Sequence, residues 1–89
     1  MVKGTTTSGF KFSIDPDNVK DMRVVELAAK VRYDGTYLPE LASRILGDSQ
    51  KEKLYKFLED SKGRVSPEKF GDALDEIMIA VNNADETKN

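Results

Sequence analysis

Three carboxylates lie close together near the end of the chain, at Asp72, Asp75 and Glu76. Paired carboxylates can act as general acid and base when their surroundings push their pKa values apart. No nucleophile or phosphate-binding loop accompanies these three, and on a helix they would form a solvated face. The chain also contains no cysteine and no histidine, which removes the thiol nucleophile and the commonest general base. The residues predict a protein that is not an enzyme and has no cofactor.

A glycine-centred loop between two predicted helices, over residues 58–69, has the spacing of a calcium-binding EF-hand. With Gly63 at the sixth loop position, only Asp60 and Ser66 could supply oxygen ligands. Lys62 and Lys69 occupy positions where the motif needs a ligand. Cations at ligand positions repel Ca²⁺, so we predict no metal site.

The segment 41–55 could instead form a helix-turn-helix that reads DNA. Its second helix would present four polar or basic side chains, Gln50, Lys51, Lys53 and Lys56. Acidic residues lie among them, and the chain has 14 Lys and Arg against 16 Asp and Glu, a net charge of −2. Duplex binding draws most of its affinity from a cationic face that neutralises phosphates. The charge pattern therefore argues against nucleic acid as the partner.

The length of 89 residues allows one domain with one core. No apolar run is long enough to cross a bilayer, and the N-terminal residues do not have the pattern of a signal peptide. We therefore expect a soluble, intracellular protein that does not bind membranes.

The first elements that the pattern predicts are a tail and a strand. Residues 1–9 are mostly Thr, Ser, Gly and Lys and predict a flexible tail. Residues 10–14 alternate, with Phe10, Phe12 and Ile14 on one side, which predicts a half-buried strand or an extended arm over the helices. No second run of similar quality could pair with it, so its partner stays open.

The rest of the chain predicts a mainly α, compact four-helix domain over residues 10–81, followed by a flexible tail at 82–89. Asp15-Pro16 and Ser66-Pro67 are start signals, and Gly47 and Gly63 are stop signals. The predicted helices cover about residues 16–32, 38–46, 50–61 and 67–81.

The first predicted helix is apolar on more than one side. One line consists of Met22, Val25 and Ala29, and a second consists of Val24, Leu27, Ala28 and Val31. Either this helix is central and covered on both sides by the other three, or one line meets a partner. The Met22, Val25 and Ala29 line is the candidate for the second alternative.

The order of these pieces resembles the small tail assembly chaperones of long-tailed bacteriophages and prophages. The resemblance covers about residues 8–80 and includes the FKFSID run before Asp15-Pro16. Its cassette corresponds to Ile45-Leu46-Gly47, a helix, Lys62-Gly63-Arg64-Val65, and Asp75-Glu76-Ile77. The sequence departs from the family pattern at Lys62, where an acidic residue is expected before the glycine.

That resemblance implies a non-catalytic binder located in the cytoplasm of the bacterial host. Proteins of this family coat the long helical tape measure protein before the tail tube polymerises around it, and they leave before the virion is complete. The implied partner is therefore a protein, the tape measure protein.

The candidate contact residues come from the apolar residues in excess of one core stripe. Met22, Val25 and Ala29 are the first choice, and the second choices are Phe10, Phe12, Ile14 and Ile79. A homo-oligomer stays open because the strand lacks a partner. Two other functions also stay open: a small phage or bacterial regulator that binds DNA or another protein, and a structural tail or connector subunit.

Overall fold

In the computed structural model, the chain begins with an antiparallel hairpin and continues with helices. The structure describes residues 1–87 and the side chains of residues 1–84. The strands are β1 (Val2–Thr5) and β2 (Lys11–Ile14). The α-helices are α1 (Met22–Val31), α2 (Leu38–Leu58) and α3 (Pro67–Thr87), with short 3-10 helices at Pro16–Lys20 and Gly35–Tyr37. The predicted mainly helical fold with a short β-element is confirmed.

The strand predicted at residues 10–14 is confirmed, and its partner is the segment that was predicted to be a flexible tail. Val2 pairs with Ile14, and Gly4 pairs with Phe12. The tail prediction for residues 1–9 is therefore wrong. A Cβ atom on Gly4 would lie 2.7 Å from the Cζ atom of Phe12, so the ring of Phe12 covers the glycine. The sequence pattern did not predict β1, because Gly4, at its central inward position, has no apolar side chain.

The helix predicted over residues 16–32 is interrupted at Asp21. The backbone of Asp21 is extended (φ −82°, ψ 129°), and the Asp21 side chain accepts a hydrogen bond from the N–H of Arg23 at 2.9 Å. Asp21 is therefore the N-cap of α1, while Asp15 caps the 3-10 helix before it by accepting from the N–H of Asp17. The prediction of one continuous helix is wrong because it had only Asp15 as a cap and did not include the second cap at Asp21.

The helices predicted at 38–46 and 50–61 form one element, α2, with Gly47 inside it. The chain therefore has three α-helices within residues 1–87, and the predicted count of four is wrong. The predicted interruption at Gly47 is confirmed by its non-helical backbone (φ 78°, ψ 157°). This break disturbs the regular hydrogen bonding of the preceding turn. The carbonyl of Ile45 accepts from the side chain of Asn18 at 3.1 Å, and that of Leu46 accepts from Gln50 at 2.8 Å.

The start of α3 agrees with the sequence, but its end does not. The hydroxyl of Ser66 accepts from the N–H of Lys69 at 3.3 Å, as expected for an N-cap. The helix continues to Thr87 rather than ending at residue 81, because neither glycine nor proline follows Val81. The predicted flexible tail at 82–89 is therefore wrong for residues 82–87, and residues 88–89 lie outside the described part of the chain.

One core joins the hairpin to all three helices. Its largest fully buried side chains, each less than 2 % exposed, are Ile14, Val24, Ile45, Leu54, Leu74, Ile77 and Val81. The ring of Phe10 lies 5.5 Å from that of Phe57, and Tyr55 stacks on Phe70 at 4.9 Å between ring centroids. The inner face of β2 thus closes one side of the helical core.

Candidate protein-binding surface

The outer face of α1 carries the first-choice contact residues. Its inner line is in the core, with Val24 1 % and Leu27 5 % exposed. The opposite line faces solvent, where Met22 is 72 % exposed, Val25 is 53 % exposed and Ala29 is also exposed. Of the two alternatives for this helix, coverage on both sides by the rest of the domain is therefore wrong. An uncovered row of apolar side chains on one helix is typical of a surface that contacts another protein.

Tyr33 extends this row beyond the end of α1, and it is not among the contact residues predicted from the sequence. Its side chain is 92 % exposed, and it lines a shallow groove of about 360 Å³ together with Val25, Ala28, Ala29 and Arg32. Tyr33 lies just beyond the helix predicted over residues 16–32. Its helical spacing from Val25 and Ala29, four residues apart each time, was the signal that could have identified it. We call Met22, Val25, Ala29 and Tyr33 the α1 stripe.

A second groove lies beside the α1 stripe, between α1 and α3. Its volume is about 620 Å³. Ala28 and Arg32 line both grooves, so the two form one continuous surface. Its apolar lining consists of Ala28, Val31, Leu38, Leu41, Leu74 and Met78. The edge that belongs to α3 carries Glu68, Asp72 and Asp75.

The second-choice contact residues divide into buried and exposed positions. Phe10 and Phe12 are each 6 % exposed and Ile14 is 1 % exposed, because Phe12 and Ile14 form the inner face of β2 and Phe10, just before the strand, packs against Phe57. Their prediction as partner contacts is wrong, since the chain's own helices cover them. Ile79 on α3 is 52 % exposed and lines neither of the two grooves beside α1.

Two of the four side chains that a DNA-reading helix would present are engaged inside the molecule. The amide of Gln50 accepts from the N–H of Ser13 at 2.9 Å and donates to the carbonyl of Ser13 at 2.8 Å. Gln50 therefore satisfies the edge of β2 that β1 does not cover. The ammonium group of Lys51 donates to the hydroxyl of Ser43 at 2.7 Å. Only Lys53 and Lys56 of the four remain exposed without such a bond among the described residues.

Of the three carboxylates considered for catalysis, Glu76 has a structural role. Glu76 accepts from both the hydroxyl and the N–H of Thr7, at 2.6 and 2.8 Å, which fastens the hairpin loop to α3. These bonds, first the one from the hydroxyl and then the one from the N–H, lower the pKa of Glu76. A general acid at neutral pH needs the opposite shift.

Asp60 has a similar structural role in the glycine-centred loop. Its carboxylate accepts from the N–H groups of Lys62 and Arg64 at 2.8 and 3.0 Å, and the bond from Arg64 contributes most to lowering its pKa. Within residues 1–87, no group of three potential acidic, cysteine or histidine ligands is placed to hold a metal ion.

Comparisons of the chain with family models, with curated proteins and with solved structures find no match. Among the helices of residues 1–87, none combines the length and apolar composition that crossing a bilayer requires. The α1 stripe and the groove beside it are the features that bear most directly on function.

Proposed function

We propose that this chain is a non-catalytic protein-binding module that acts as a tail assembly chaperone of a long-tailed phage or prophage. Its partner is the tape measure protein, which it binds in the host cytoplasm. The observation that carries the proposal is the exposure of the α1 stripe, with Met22 at 72 % and Tyr33 at 92 %. The identity of the partner is inferred from the resemblance of residues 45–77 to this family.

The physical case begins with the cost of leaving this row uncovered. The exposed surface of these apolar side chains gains nothing on folding, and fully burying one side chain of this size is favourable by about 1.5–3 kcal/mol. Shortening Met22 or Val25 would not disturb the core, because the inner face of α1 already packs through Val24 and Leu27. A row that folding does not require and that solvent does not favour is consistent with use in binding.

Co-expression with the tape measure protein of the same phage or prophage tests this proposal. The wild-type chain should keep that protein soluble and should co-purify with it. The double variant Met22→Lys/Val25→Lys should weaken capture at least about tenfold, since central apolar anchors dominate binding energy. Circular dichroism and thermal unfolding should show that the variant still folds.

Ile79→Lys is the matched control, because Ile79 and Val25 are 52 % and 53 % exposed and lie on different helices. This control should capture the tape measure protein as the wild type does. Undiminished capture by the Met22→Lys/Val25→Lys variant, or no capture by the wild type, would overturn the proposal. Retention of the chain in purified particles would favour a structural tail subunit, and salt-dependent binding to duplex DNA would favour a regulator.

A further inference from the structure

The groove between α1 and α3 has the form of an unfilled position in a helical layer. The helices α1 and α3 each pack on α2. Leu38 and Leu41 of α2 form the floor between them. An occupant that lay along this floor would contact three helices of the domain.

The walls of the groove allow a second backbone to approach closely. Ala28 on α1 and Gly71 on α3 both line it and have little or no side chain. Met78, at the far end, is half-buried and has a flexible thioether that adapts to irregular shapes. Small walls over an apolar floor suit the apolar face of an amphipathic helix.

The charge at the edge restricts the kind of helix. Glu68, Asp72 and Asp75 follow one edge of α3, all three are exposed, and none makes a hydrogen bond or ion pair with another described residue. Arg32 stands on the α1 side of the same groove. Three carboxylates that have no cation partner among the described side chains, beside an apolar floor, complement a ligand that is apolar and positively charged along one side.

We propose that this groove binds an amphipathic α-helix of a partner protein, one that carries Lys or Arg beside its apolar face. The apolar face of that helix lies over Leu41 and Met78, and its cations lie against Asp72 and Asp75. The inference rests on the proposed protein-binding role and adds the chemistry of the bound segment. A helix with acidic residues in the same positions is rejected by the α3 edge.

Two synthetic peptides test the charge preference without requiring knowledge of the natural partner. Each has about five helical turns, roughly 18 residues, with the same Leu and Ala face. One has Lys along the flank and the other has Glu. Fluorescence anisotropy should show that the Lys peptide binds about tenfold more tightly at low salt, about 50 mM, and that the difference shrinks at about 500 mM.

Charge reversal in the chain identifies the edge responsible. The variant Asp72→Lys/Asp75→Lys should lose the preference for the Lys peptide or prefer the Glu peptide. The matched control Glu52→Lys/Glu59→Lys changes the same net charge at exposed carboxylates away from this groove, and it should keep the preference. Amide chemical-shift changes on adding the Lys peptide should centre on Ala28, Val31 and Leu74.

Binding of neither peptide, equal binding of both at low salt, or a preference that survives Asp72→Lys/Asp75→Lys would overturn the inference. Shift changes confined to other faces of the domain would do the same. If sedimentation shows a dimer that the Lys peptide does not dissociate, a second copy of the chain fills the groove and the inference is wrong. Capture of the tape measure protein through the α1 stripe would still stand after any of these results, so the two proposals fail separately.

Discussion

Replacing Gln50 with alanine should lower the free energy of unfolding by about 1.5–3 kcal/mol, because this side chain joins three backbone groups. Its amide oxygen accepts from the N–H of Ser13 at 2.9 Å. Its amide nitrogen donates to the carbonyls of Ser13 and Leu46, both at 2.8 Å. The same residue therefore completes the free edge of β2 and satisfies a carbonyl next to the break at Gly47.

The magnitude follows from counting these bonds. An intramolecular hydrogen bond contributes about 0.5–1.5 kcal/mol net, so three bonds give about 1.5–4.5 kcal/mol. Gln50 is half-buried, so in the alanine variant water can reach some of the backbone groups that lose their partner. This lowers the upper value to about 3 kcal/mol. For a domain of this length, the corresponding fall in Tm is roughly 6–24 °C.

Urea and thermal unfolding followed by circular dichroism measure this effect. The matched control is Lys53→Ala, an exposed position on the same helix, which should change the free energy of unfolding by less than about 0.5 kcal/mol. A Gln50→Ala variant within about 0.5 kcal/mol of the wild type would refute the reasoning, because it would mean that the contact between β2 and α2 does not depend on this bridge.

Three further predictions concern stability. Gly47→Ala should cost about 1–3 kcal/mol in a urea titration, because the backbone angles there (φ 78°, ψ 157°) are accessible to glycine almost alone, and no atom within 4 Å would meet the added methyl group. Gly4→Ala should cost about 1–3 kcal/mol for a different reason, since the new Cβ would lie 2.7 Å from the ring of Phe12. Gly35→Ala, where there is open space and no positive φ, is the control for both and should be close to neutral; if it costs as much as the other two, the assignment of strain and clash is wrong. Glu76→Gln should lower stability at neutral pH, and the difference from the wild type should shrink as the pH falls below the ordinary glutamate pKa of 4.5. A carboxylate whose pKa is lowered by folding stabilises the protein above its ordinary pKa, and it loses this contribution as it becomes protonated. Urea midpoints measured between neutral pH and about pH 3 check this, and a difference that does not depend on pH would contradict it.

Elements that depend mainly on residues close in sequence were predicted correctly. The alternation of Phe10, Phe12 and Ile14 identified β2, and Ser66-Pro67 identified the start of α3. Gly47 was correctly placed as a break because a stop signal depends on one residue's backbone freedom. Met22, Val25 and Ala29 of the α1 stripe were also visible as apolar residues in excess of those that one core face needs.

Features that depend on distant residues were missed. Strand β1 has a glycine where a strand pattern would show an apolar side chain, and Gly4 is explained only by the ring of Phe12 across the hairpin. The bridge from Gln50 to Ser13 spans 37 positions, so no local pattern indicates it. Asp21 could equally have been a solvated helix residue, because a cap and a surface aspartate look alike until the chain path is known.

The candidate site was predicted in part for the same reason. Periodicity showed that α1 has two apolar lines, but it did not show which one the domain covers. The groove beside α3 could not be predicted, because it depends on how far apart α1 and α3 stand on α2. The burial of Phe10, Phe12 and Ile14 followed from hairpin pairing, which the sequence analysis left open.

Oxidative footprinting of the chain with and without the tape measure protein tests the central claim most directly. Met22 and Tyr33, at 72 % and 92 % exposure, should react readily in the free chain, and Phe57, at 46 %, is an internal reference on another side of the domain. Complex formation should reduce oxidation of Met22 and Tyr33 several-fold and leave Phe57 unchanged. Unchanged oxidation of Met22 and Tyr33 in a complex that has formed would contradict the claim that the α1 stripe is the binding surface.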